Sequence, residues 1–213
     1  YDQLVDDLVR VARHAGAASA AEKPVLVGAS MGGLLGIAVQ ALHSAFRALV
    51  LVDITPRWET AGVERILAFM RAHPDGFSSY DEAADEIERY LPHRAERKSE
   101  SSLRQLLVRG DDGRLRWHWD ARMLDFATRD ADRLQRDLLA AAGAIRVPTL
   151  LISGGRSDVV SVETIAEFLA HVPHATHVRL DDATHMVAGD ANDAFTRAIV
   201  DFTASLDPPP RRN

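Results

Sequence analysis

The chain has 213 residues, 46% of them hydrophobic and 26% charged, with a formal net charge of −6. Such a composition builds one substantial core, argues against disorder, and offers no basic footprint for nucleic acid or an anionic membrane surface. There are no cysteines, which excludes disulfides, thiolate metal sites and a cysteine nucleophile, and fits a reducing compartment.

The chain opens within a helical pattern, "YDQLVDDLVRVARHAG", where Leu4, Val5, Leu8, Val9 and Ala12 share one face. A chain that starts in mid-pattern without methionine predicts a native start upstream of Tyr1. A cytoplasmic location is expected, with an upstream leader left open, and no apolar run approaches the roughly 18 residues of a membrane span. Next, "EKPVLVGAS" reads as a short buried strand and Gly32 to His43 as a helix. "FRALVLVDITP", residues 46–56, is a continuous apolar run of the kind that parallel strands show.

From residue 56 to 143 the texture becomes helical, without a strand pattern of any strength. Ser79 with Glu82 three residues later suggests a capping box, and Gly110 and Gly143 sit where helices stop. Strand character returns at "VPTLLISGG" (147–155), followed by a helix at 161–172, a strand within 175–185 and a last amphipathic helix over 190–206. That helix places Phe195, Ile199 and Phe202 on one side.

Strands alternating with long helices predict an α/β fold, a mostly parallel sheet covered by helices on both faces. The expected organisation is a core in two parts, 1–55 and 144–207, a helical cap at 56–143 inserted after the second visible strand, and a frayed tail at 208–213. The insert follows the carboxyl end of a strand, where ligands bind in open α/β sheets, so a lid is expected.

Chemistry concentrates at "VGASMGG". A Gly-x-Ser-x-Gly run is weak alone, but strand, turn and helix surround this one. The turn would hold Ser30 in a strained conformation above the sheet, with Gly28 and Gly32 sparing the neighbouring strand and helix a collision. A serine hydroxyl needs a base. His14, His43, His73 and His93 read as solvated helix residues, and His171, His174 and His177 lack the company of an acidic ligand motif. His118, between Trp117 and Trp119, reads as packing of the insert or as a substrate contact. His185 follows the last strand and emerges at the same sheet edge as Ser30. For the orienting carboxylate, Asp158 in "SGGRSDVVS" is preferred over Asp53 at the end of "LVLVD". The resulting order Ser30, Asp158, His185 differs from the trypsin-like and subtilisin-like orders.

"GASMGG", "LVLVDITPR", "SGGRSDVVS" and "THMVAGDANDAF" together resemble the α/β-hydrolase family, its serine-nucleophile branch of small esterases, C–C-bond hydrolases, enol-lactonases and perhydrolases. The resemblance implies a cap at the insert, Ser30 as nucleophile, Asp158 as acid, His185 as base and the Met31 backbone N–H as one oxyanion donor. It implies a small ester or acyl substrate, no cofactor or metal, and neither a nucleic-acid nor a membrane partner. It also implies that further strands and a second oxyanion donor lie upstream of Tyr1. Val25 to Val27 should then pair with one strand of this chain only, leaving an apolar edge that invites self-association.

Overall fold

The computed structural model describes residues 1–18, 23–94, 96–127 and 130–206, so the expected tail at 208–213 lies outside the described residues. In chain order the elements begin with α1 (Asp2–Ala18), β1 (Val25–Ala29), α2 (Met31–His43), β2 (Ala48–Val52), α3 (Thr60–Arg71), α4 (Tyr80–Tyr90) and α5 (Glu100–Leu103). A short hairpin, β3 (Leu107–Arg109) and β4 (Leu115–Trp117), precedes a 3-10 segment (Ala121–Ala127) and α6 (Ala131–Ala142). The chain continues through β5 (Thr149–Gly154), α7 (Val162–His171), β6 (Thr176–Leu180), α8 (Val187–Asp190) and α9 (Asn192–Leu206). Among the described residues no helix is long and apolar enough to cross a membrane.

Two compact units result, Tyr1–Val63 with Asp130–Asn213, and Glu64–Arg129. The separate unit is thus shorter than the insert expected at 56–143. Helix α6 belongs to the first unit because it buries Leu138 and Ala142 and packs against α2 and α7.

The first unit is built on a four-stranded sheet in the order β1-β2-β5-β6, parallel throughout. Strand β2 is buried at every residue, and the pleat divides its side chains between two faces. Val50 and Val52 join Leu150 and Ile152 under Phe195, Ile199 and Phe202 of α9, the face expected of that helix. Leu51 turns the other way, towards Gly33 of α2. As expected, Val25 to Val27 pairs with β2 alone among the described strands, and Val27 is 46% exposed.

Close approach between β1 and α2 depends on particular glycines. A Cβ on Gly28 would lie 2.6 Å from the Gly32 carbonyl oxygen and 2.7 Å from the Gly33 nitrogen, as the expected collision requires. The expectation for Gly32 fails, since a Cβ there meets nothing within 4 Å. Gly33 carries that constraint instead, its added Cβ lying 2.5 Å from Ile54 Cγ2 and 3.0 Å from the Gly28 carbonyl oxygen.

The second unit has its own core of Phe77, Ala83, Ala84, Ile87, Leu91, Leu103, Leu107 and Leu115. It contains the hairpin that the sequence reading missed. Gly110 is not a helix stop: its N–H donates to the Arg114 carbonyl across the turn, and Gly113 takes the left-handed φ of 78° that the turn demands. Phe77 extends this hairpin, exchanging two backbone hydrogen bonds with Leu115. Ser79 does cap α4, accepting from the Glu82 N–H at 3.1 Å, but the Glu82 carboxylate takes the N–H and hydroxyl of Ser78 rather than closing the box on Ser79. Those two bonds hold the Glu82 carboxyl below its ordinary pKa. His73, expected as a solvated residue, has partners: Nε2 is 3.1 Å from Glu86 Oε2 and the ring lies 4.4 Å from that of Phe77.

Two pairs of substitutions test these packing arguments by chemical denaturation. Gly28→Ala should destabilise the protein by about 1–3 kcal/mol through overpacking, whereas Gly32→Ala, in open space at the start of a helix, should be neutral or stabilising by up to about 1 kcal/mol. In the second unit Phe77→Ala should cost about 3–5 kcal/mol, and Val108→Ala, at a side chain 54% exposed, less than about 0.5 kcal/mol. Equal effects within either pair would contradict the packing described.

Candidate active site

Ser30 stands where β1 turns into α2. Its φ of 48° and ψ of −121° lie in a region that residues other than glycine avoid, a strained turn of the kind a nucleophile elbow needs. Its N–H donates to the Val52 carbonyl at 3.0 Å and its carbonyl accepts from Gly33 and Leu34, so the backbone is fixed on both sides. The side chain makes no capping bond to α2. Helix α2 begins at Met31, and the first N–H groups of a helix have no partner within it, so the Met31 N–H sits at the positive end of the helix next to Ser30.

One residue past Val52, Asp53 ends β2 with a φ of 50° and a side chain that is 0% exposed. Its N–H donates to the Ile152 carbonyl at 2.7 Å, which anchors it beside the end of β5. Oδ1 accepts from the Gly154 N–H at 2.7 Å, and Oδ2 accepts from the Ser157 hydroxyl at 2.5 Å and from His185 Nδ1 at 2.7 Å. An ionised carboxylate only accepts, so with Asp53 ionised the contact is made by an Nδ1–H of His185.

His185 lies in the loop between β6 and α8, and that loop is pressed onto the end of β5. Added Cβ atoms on Gly154 and Gly155 would lie 2.4 Å from the Thr184 carbonyl oxygen and 2.5 Å from that of Asp181, so glycine is required at both. The Gly155 and Arg156 N–H groups donate to the Leu180 and Ala183 carbonyls. Beyond the histidine, Asp190 Oδ2 accepts from the Thr184 N–H at 3.0 Å and from its hydroxyl, closing the loop around His185.

The carboxylate in contact with His185 is not the one preferred on sequence. Asp53, the second choice, holds His185, while Asp158 lies four residues past the end of β5, where its backbone carbonyl packs against the start of α3. A Cβ on Gly62 would come within 1.9 Å of the Asp158 carbonyl oxygen. The turn at Asp53 and the short path from Gly154 to His185 bring these two side chains together, and neither can be read from spacing. Sequence reasoning also passed over Ser157, although it lies within the "SGGRSDVVS" stretch that drew attention to Asp158.

The remaining candidates have other neighbours. Trp117 packs in the core of the second unit, its ring 5.3 Å from Phe77 and 5.7 Å from Phe69. His118 places Nδ1 3.0 Å from the Leu106 carbonyl oxygen, and Trp119 is half-buried. His171 and His174 each place a ring nitrogen on a backbone carbonyl, of Glu167 and Val147 respectively, and His177 meets the Ser153 hydroxyl at 2.8 Å. Burial holds the His177 pKa below its ordinary value.

The profile described as the alpha/beta hydrolase family matches residues 1–198. The chain is 30% identical over 178 residues to the 3-hydroxybutyrate-oligomer hydrolase of Cupriavidus necator, an alignment covering 77% of this chain and 59% of that protein. It thus spans about three fifths of that relative's length. Among solved structures, an E-2-(acetamidomethylene)succinate hydrolase superposes with a TM-score of 0.71 at 24% identity, over 94% of this chain and 72% of the other. An esterase of M. tuberculosis superposes with a TM-score of 0.67 at 24% identity, over 92% and 68%. The parallel sheet, the strained serine turn and the profile match together identify the chain as a member of the alpha/beta hydrolase family.

Proposed function

We propose that the chain carries the catalytic machinery of a serine hydrolase that cleaves small esters by acyl transfer. The observation that carries this reading is the buried Asp53 carboxylate holding Nδ1 of His185 at 2.7 Å, at the same carboxyl edge of the sheet as the strained Ser30 turn. A base held in this tautomer presents Nε2 for a proton, and the nearby carboxylate stabilises the imidazolium that results.

Ser30 Oγ attacks the carbonyl carbon while His185 Nε2 takes its proton. The Met31 N–H donates to the oxygen as it becomes negative. The imidazolium then gives its proton to the departing alcohol, leaving an ester between Ser30 and the acyl group. Water, activated by His185 in turn, attacks that ester, and Ser30 recovers its proton. An ester is favoured as substrate because the Cupriavidus necator relative is named as a 3-hydroxybutyrate-oligomer hydrolase.

Labelling with an activated fluorophosphonate, followed by peptide mapping, should place the adduct on Ser30, and a panel of short acyl esters should reveal turnover. Ser30→Ala and His185→Ala should each lower kcat on the order of 10⁴-fold or more, with the double variant little worse than the poorer single one. Asp53→Asn should lower kcat on the order of 10⁴-fold by favouring the wrong tautomer. Asp158→Asn should stay within a few-fold of the parent. Strong loss in Asp158→Asn with an active Asp53→Asn would reassign the carboxylate, and an unlabelled Ser30 in folded protein would refute the hydrolase.

A further inference from the structure

Asp53 Oδ2 is shared by two donors, the His185 imidazole and the Ser157 hydroxyl. Ser157 has its own acceptor sites occupied: its Oγ accepts from the Val159 N–H at 3.1 Å and the Val160 N–H at 3.4 Å. A hydroxyl has one proton and two lone pairs. With both lone pairs directed at backbone N–H groups, the proton is left for Asp53. The turn at 157–160 thus fixes the direction in which Ser157 donates, whatever His185 does.

We infer that Ser157 is a positioning residue for the reaction, holding the Asp53 carboxylate in the plane that receives His185 Nδ1. The role rests on the hydrolase reading above. During a turnover the imidazole gains and loses a proton and shifts between Ser30 and the leaving group, so its own bond cannot be the sole restraint on Oδ2. Gly154 restrains Oδ1 alone. Without the Ser157 hydroxyl, Oδ2 would keep only the group it is meant to orient, and the single bond from Gly154 to Oδ1 would be left to resist rotation of the carboxylate. The Ser157 hydroxyl is engaged by Asp53, Val159 and Val160 and acts through the carboxylate, so its loss should slow chemistry and leave substrate binding alone.

The test compares Ser157→Ala, Ser157→Val and Ser157→Thr in the intact protein, with fluorophosphonate labelling of Ser30 and steady-state ester hydrolysis as readouts. Threonine and valine match in shape and differ by the hydroxyl. A hydrogen bond to a charged group corresponds to roughly ten- to a hundredfold in an equilibrium or rate. The alanine and valine variants should therefore lose about that factor in kcat and in labelling rate at unchanged KM, while threonine stays within about threefold of the parent. Parent-like kcat in alanine and valine, an equal loss in threonine, or a loss that appears in KM would overturn the inference. Failure of the alanine and valine variants to fold, seen by circular dichroism, would assign Ser157 to stability alone and also overturn it. An unlabelled Ser30 in the parent would be a different failure, removing the hydrolase reading and this role with it.

Discussion

A buried carboxylate organises this protein. Removing an ion from water costs several kcal/mol unless other groups take over its solvation, and Asp53, 0% exposed, is solvated by donors from three stretches of chain. Gly154 supplies the end of β5, Ser157 the turn beyond it, and His185 the loop after β6. Those stretches must meet at one point. The glycines at 154 and 155, which let the histidine loop lie on the strand end, and the clasp of Asp190 on Thr184 both serve that meeting. His185 is itself one of the groups that meet the carboxylate.

Across the sheet, the serine is placed by a parallel device. Ser30 and Asp53 end adjacent strands, and both have left-handed φ, 48° and 50°. Strain of that kind costs on the order of 1–3 kcal/mol per residue and persists only where the surroundings leave no alternative. Here the surroundings are β2, buried throughout, and the tight contact of α2 on β1 across Gly28 and Gly33. Each of these two residues is thus turned out of the sheet at its carboxyl edge by a backbone that the core holds in place. The Ser30 N–H on the Val52 carbonyl joins the two turns directly.

Much of this was legible in the chain. Apolar runs at 25–27 and 48–52 read as parallel strands because no alternation interrupts them, and the spacing of Phe195, Ile199 and Phe202 placed α9 on the sheet. Ser30 follows β1 directly and His185 follows β6 by five residues, which fixes the sheet edge at which each emerges. The carboxylate could not be settled in that way. Asp53 and Asp158 both follow strands, and the choice depends on a left-handed turn at one and on the route of the chain past α3 at the other. The hairpin at 107–117 was missed because two three-residue strands carry almost no periodic signal, although Asp112-Gly113 marked its turn. Gly32 was over-read: its place in the motif suggested crowding, but the crowded position is one residue later.

The central claim is that Asp53 holds His185 with its proton on Nδ1. Nitrogen NMR of the imidazole, with His185 assigned by comparison with His185→Ala, reads this directly in the resting protein. The expected result is a proton on Nδ1 in hydrogen bond to the carboxylate, a pattern lost in Asp53→Asn and kept in Asp158→Asn. A ring protonated at Nε2 alone in the parent, or a pattern that responds to Asp158 and not to Asp53, would contradict it.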